Sequence, residues 1–232
     1  EPNVPVRQPH PAPARITSPP EWKGRMLGEG ELPVDGITAD PRAVLDFRGG
    51  RAAGWARLRH YLWDTKALSR YKETRNGLLG SDYSSKLSPW LASGAIGARE
   101  VWHEVKRYEA EHGANESTYW LGFELLWRDF FQFTAAKHGR ELFLSGGLSR
   151  RAHHGVWDTE RFNAWCTGST GQPFIDANMR ELAATGWMSN RGRQNAASYL
   201  VHDLGLDWRM GAWWFEHLLV DHDPCSNWGN WQ

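Results

Sequence analysis

From residue 99 onward the chain repeats one pattern: apolar residues return at helical spacing, and a glycine closes the segment. Residues 99–112 carry Val101, Trp102, Val105 and Tyr108 on one stripe and stop at Gly113. Residues 117–138 stop at Gly139, residues 159–167 at Gly168, and residues 173–185, opened by Pro173, at Gly186. Segments 189–204 and 210–220 complete the series. Upstream, Ser88-Pro89 reads as an N-cap followed by a first-turn proline, and Ala56, Arg59, Leu62 and Trp63 fall on helical spacing. No run of alternating β-branched residues argues for a strand, and no fixed repeat is present. The fold class expected is all-α.

The first part of the chain differs in kind. Nine of the twelve prolines fall between Pro2 and Pro41. Residues 1–44 therefore read as an extended linker and residues 45–232 as a helical domain. Opening on Glu1 and stopping at Trp231-Gln232, the chain reads as cut at both ends. Its 27 basic and 27 acidic side chains cancel, so attraction to nucleic acid requires a local basic patch. Cys166 and Cys225 lie far apart, which suggests a reducing compartment and no disulfide framework. No apolar run approaches a membrane span.

Fifteen tryptophans are more than packing needs, because each indole N–H wants a partner. Some must be core, while others can stack on a flat ligand or a nucleobase, or carry electrons. Several constellations accompany them. Glu124, Trp127, Arg128 and Phe131 share one helix face, which suits either a polar pocket or a surface Glu–Arg pair beside core aromatics. Asn190, Arg193 and Gln194 sit at a helix start, where they can read polar edges of a ring or simply be solvated. Asp221 and Asp223 follow the apolar run 213–220, at the negative end of a helix, and need a cationic or donor partner. Residues 84–89 join hydroxyls, Lys86 and a helix start, a weak signal for phosphate. The stretch 137–154, with Lys137, Arg140, Arg150, Arg151 and three histidines, reads as a flexible basic loop.

Four segments together resemble the photolyase/cryptochrome family in its flavin-binding helical domain. They read SSKLSPWLASG from Ser84, FELLWRDFF from Phe123, TGQPFIDANMRELAATGWMSNRGRQNAASYLVHDL from Thr170, and DHDPCSNWGNWQ from Asp221. FRGG at Phe47, RYKETRNG at Arg70, and Gln194 are similar to the DASH cryptochrome branch. The resemblance implies FAD as cofactor. It places Tyr71, Ser84, Ser85, Lys86, Leu87 and Ser88 at its phosphates and ribityl chain. Arg128 and Trp187 match positions close to the cofactor, and Arg193 and Asp221 match an ion pair against the ring. Asp223 matches a contact to the flavin edge and Asn227 the residue facing flavin N5. Glu124, Trp127, Asn190 and Gln194 match a lesion pocket, Asn190 also adjoining the cofactor. Trp157, Trp208 and Trp231 match an electron relay. Trp90, Trp102, Trp120, Trp165, Trp213 and Trp214 are assigned to packing, while Trp22, Trp55, Trp63 and Trp228 take no role.

The activity so implied is light-driven repair of cyclobutane pyrimidine dimers in single-stranded DNA by a monomer, with no membrane and no metal. The family's N-terminal α/β antenna domain lies outside the match. An antenna pterin, methenyltetrahydrofolate, is expected only in a longer parent chain. The rival is a flavin photoreceptor that signals without repairing.

Overall fold

The computed structural model describes residues 6–9, 40–150 and 154–232. The expected linker, residues 1–44, lies mostly outside them. Helices carry the described residues in this order: α1 (Arg51–Arg59), α2 (Tyr71–Thr74), α3 (Ser88–Ala92), α4 (Ala98–His112), α5 (Glu116–His138), α6 (Thr159–Thr167), α7 (Pro173–Thr185), α8 (Asn190–Ser198), α9 (Trp208–Leu218) and α10 (Pro224–Asn230). Among the described residues there is no strand, and Val156 and Leu206 form one isolated parallel bridge. The class is all-α, and no described helix is long and apolar enough to cross a membrane.

The four glycine stops all sit where the helix path requires a positive φ, at 88°, 53°, 63° and 67° for Gly113, Gly139, Gly168 and Gly186. A side chain would be strained there, which is why these residues end helices. Segment 189–204 is continuous but not uniform, since α8 widens into a π-helical turn at Tyr199–Asp203.

Two expectations fail locally. Ser88 is not an N-cap: it lies inside α3, after Leu87, and its hydroxyl leaves the helix to bond Asp221. On α1 and the π-helical turn His60–Asp64, the buried face is Gly54, Arg57, Leu58, Tyr61 and Leu62, rotated from the one expected. These positions do follow i, i+3, i+4, i+7, i+8 spacing, but the face contains an arginine, which masks it to an apolar count.

The helices bury two separate apolar clusters. The first gathers Leu58, Tyr61, Leu68, Val101, Val105 and Leu121 from α1 to α5. The second gathers Trp165, Met179, Leu182, Leu200 and Phe215 from α6 to α9. Trp165 is fully enclosed, and its Nε1–H donates to Ala196 O at 3.0 Å, so its polar atom costs nothing in the core. Phe47 packs on the first cluster and reaches beyond it, its ring 5.8 Å from Trp90 and 4.9 Å from Trp187.

Candidate functional site

Between the clusters lies a cavity of about 560 Å³. That falls within the range of small-molecule clefts, about 300–1,000 Å³. Every residue expected to hold a cofactor or lesion lines it, whereas of the relay tryptophans Trp231 does so and Trp157 and Trp208 do not.

One wall is the loop before α3. Arg57, 7% exposed, holds that loop from behind. Its guanidinium donates to the carbonyls of Ser81 (2.9 Å), Ser84 (3.1 Å) and Ser85 (2.8 Å), and to Asp82 Oδ1 (2.7 Å). In a trans peptide the carbonyl and the next N–H point oppositely. Drawing the Ser84 and Ser85 carbonyls toward Arg57 therefore turns the N–H groups of Ser85 and Lys86 away from it, in a stretch where both residues line the cavity. Consecutive free N–H groups beside the hydroxyls of Ser84 and Ser85 are donors of the kind that suits an anion. Lys86 contributes less charge than its type suggests. Its Nζ is sealed from solvent without a hydrogen-bond partner, 3.1 Å from the centre of the Tyr83 ring. Burial first, then the charge of Arg57, pushes its pKa down to about 7. Tyr71 and Leu87 complete this side.

The opposite wall is built by α8 and the turn between α9 and α10. Ser189 caps α8 by accepting from Gly192 N at 3.0 Å, which sets Asn190, Arg193 and Gln194 on the cavity. Arg193 donates to Met188 O (2.9 Å) and to Asp221 Oδ2 (3.0 Å), and lies over the Trp187 ring. Ser88 Oγ donates to the same Asp221 oxygen at 2.6 Å, so one carboxylate ties α3, α8 and the α9–α10 turn. This is the partner that Asp221 lacked at the end of α9. Its other oxygen, Oδ1, is buried with no partner. Asp223 has a structural duty, accepting from Ser226 N at 2.7 Å as the cap of α10. Asn227 is held through Nδ2, which donates to Ala212 O at 2.9 Å.

The remaining face comes from α5. Glu124, Trp127, Arg128 and Phe131 all line the cavity, with Trp127 43% exposed at its rim. Glu124 does not pair along its helix with Arg128. It forms an ion pair with Arg75, whose guanidinium also lies over Trp120. Arg128 instead lies 3.7 Å from Asp129 and reaches Leu91 O at 3.5 Å. Arg75 and Arg57 are the residues that sequence reasoning missed. Arg75 stood inside a quoted motif without a role, and Arg57 was hidden on a buried face.

The relay candidates run from inside to outside. The Trp231 ring packs closely against Gly211, where any Cβ would collide with it. Trp208 is 4% exposed, donates from Nε1 to Ser145 O at 3.1 Å, and shares with Trp231 a second cavity of about 460 Å³. Trp157 is 70% exposed and is carried toward Trp208 by the Val156–Leu206 bridge. Trp213, expected to pack, is 51% exposed and stacks on His217. Nor is the basic stretch 137–154 a simple flexible loop. Gly139–Phe143 is 3₁₀-helical, Arg150 pairs with Glu141 at 2.8 Å, and Arg151 and His153 lie outside the described residues.

Residues 120–232 match the family model described as the FAD binding domain of DNA photolyase. A cryptochrome DASH of Danio rerio is 54% identical over 227 residues, covering 94% of this chain and 42% of that protein. The crystal structure of the Synechocystis sp. PCC6803 cryptochrome superposes with a TM-score of 0.83 at 58% identity, over 84% of this chain and 40% of that one. The chain belongs to the photolyase/cryptochrome family. A bacterial class III photolyase from Agrobacterium tumefaciens also superposes, with a TM-score of 0.75 at 33% identity, over 93% of this chain and 44% of that one. The chain spans less than half the length of these relatives. The matched segment is the family's FAD-binding domain, and the residues present fit such a group: hydroxyl-bearing Ser84, Ser85 and Ser88 on the lining, and a buried carboxylate oxygen of Asp221 in need of a donor.

Proposed function

We propose that this chain is the flavin-holding part of a blue-light-driven enzyme that repairs cyclobutane pyrimidine dimers, with single-stranded DNA as the preferred substrate. The observation that carries the reading is the adjacency of two kinds of surface in one cavity. A charge-paired, partly unsatisfied wall suits the ring of FAD, and the rim beside it presents Trp127, Glu124, Asn190 and Gln194.

FAD, when bound and reduced, would supply the electron-transfer chemistry that opens the dimer. The residues of the chain do the rest. Ser84, Ser85 and the backbone at Lys86 hold the phosphates. Asp221 Oδ1, buried with no donor of its own, would accept from the ring, and Arg193 orients that carboxylate through its bond to Oδ2. Asn227, fixed through Nδ2, offers its carbonyl oxygen to the ring. Trp127 gives a stacking face to an unpaired base, and Glu124 accepts from its polar edge, steadied by Arg75. A single strand suits the exposed rim, because unpairing a duplex costs a few kcal/mol. Trp231, Trp208 and Trp157 form an outward path that resets the flavin's redox state.

Illumination of the flavin-loaded protein with a dimer-containing single-stranded oligonucleotide tests the reading. Loss of dimers, weakened in Glu124→Gln, is the expected result. Bound flavin with no loss of dimers transfers the assignment to a signalling photoreceptor. A folded sample that binds no FAD rejects both.

A further inference from the structure

Trp228 has no part in the path from Trp231 through Trp208 to Trp157, yet it is packed against that path. Its ring centre lies 5.8 Å from that of Trp208, edge to face at 77°, and 5.0 Å from that of Phe143. Its Nε1–H donates to Glu216 Oε2 at 2.7 Å. The other oxygen of Glu216 lies 3.9 Å from His222 Nε2.

The two neighbouring indoles thus differ in the acceptor each addresses. Trp208 donates to a backbone carbonyl, at 3.1 Å from Ser145 O, and Trp228 to a carboxylate. Removing an electron from an indole makes its N–H strongly acidic. A carbonyl oxygen does not hold the released proton, whereas a carboxylate does. Oxidised Trp208 therefore keeps its proton and its electron hole stays mobile. A hole that reaches Trp228 is trapped as the proton moves to Glu216.

We propose that Trp228, with Glu216 as its proton acceptor, is a second terminus of the electron relay, branching from Trp208. The proposal rests on the relay reading above. One electron passes from Trp228 to the Trp208 radical cation and restores neutral Trp208. The Nε1 proton crosses to Glu216 Oε2, leaving a neutral Trp228 radical and a protonated carboxyl. The oxidant that starts the sequence is the photoexcited oxidised flavin of the proposed function. The reductant that resets Trp228 is an external thiolate, which gives up one electron to become a thiyl radical while Glu216 returns the proton. The two exits then differ in kind: Trp157, 70% exposed, loses its proton to water, and Trp228 to a hydrogen-bonded carboxylate of the chain itself.

Flash photolysis with EPR detection on the flavin-loaded protein tests the branch, and phenylalanine at either exit preserves aromatic packing. Trp157→Phe should lower the yield of long-lived neutral tryptophan radical less than about threefold, and adding Trp228→Phe should lower it more than about tenfold. In the Trp157→Phe background, Glu216→Gln keeps an acceptor oxygen but no base, so the radical-cation spectrum should persist in place of the neutral one. In the flavin-free protein, Glu216→Gln should move the Trp228 indole N–H resonance upfield, that resonance being identified by its loss in Trp228→Phe. Erasure of the long-lived radical by Trp157→Phe alone, with Trp228→Phe matching the parent, overturns the branch while leaving the relay intact. Undiminished radical yield in Trp231→Phe overturns the relay itself and the branch with it.

Discussion

The wall built by residues 81–88 and the wall built by Arg193 and Asp221 bound the same cavity, yet they treat charge in opposite ways. On the first, the cations work from behind: Arg57 is spent on loop carbonyls and Asp82, and the Lys86 ammonium is sealed against Tyr83. What lines the cavity there is Ser84, Ser85, Leu87 and Ser88, with the Lys86 ammonium turned onto Tyr83. On the second, a full ion pair stands at the cavity surface, and one carboxylate oxygen is left without a donor. The difference teaches that one ligand can be held by two separate devices. Neutral dipoles suit a diffuse phosphate charge, and a buried pair fixes a planar ring by direction.

The comparison breaks most sharply at Arg193. Arg193→Ala strands the Asp221 side chain, 3% exposed, and losing one partner of a buried pair costs about 3 kcal/mol. Flavin titration should show retention about a hundredfold weaker. Equal retention would mean that the charged wall does not hold the ring. Ser88→Ala removes the 2.6 Å bond to Asp221 but leaves the pair in place. The expected loss is about 1.5 kcal/mol, or roughly tenfold in the same titration. A loss as large as that of Arg193→Ala would show that the hydroxyl, not the guanidinium, sets the carboxylate.

Lys86→Met tests the other wall through pH-dependent stability and not through flavin retention. In the unfolded chain Lys86 binds its proton up to about its ordinary value of 10.5, but in the folded protein only to about 7. Between those values the unfolded state carries more protons, so this group makes stability rise with pH. Its penalty is complete below pH 7 and gone above 10.5. Denaturant midpoints of flavin-free Lys86→Met should lack that rise and exceed the parent's below pH 7. A parallel pH profile in both proteins would show that the ammonium reaches solvent or a partner.

Helix existence and type were legible because glycine stops and apolar spacing are local. Gly113, Gly139, Gly168 and Gly186 end helices by a backbone preference that needs no tertiary context. Local reading failed where a residue serves something distant. Ser88 looks like a cap but bonds Asp221, 133 residues away. Glu124 sits four residues from Arg128 yet pairs with Arg75. Trp213 lies in an apolar run but on its solvent side. Arg57 occupies a core position that an apolar count rejects, because its charge is satisfied by a loop 24 to 28 residues on.

By itself, then, the sequence determined an all-α domain and, through resemblance, the set of residues that surround the cavity. Periodicity and motif order are properties of the chain, so they need no folded partner. The tertiary structure decided which oxygen of Asp221 is satisfied, that the Lys86 ammonium is withdrawn, and that Trp228 meets both Trp208 and Glu216. Each of those depends on the direction of one side-chain atom toward an element far along the chain. Direction at that scale is set by packing, not by spacing.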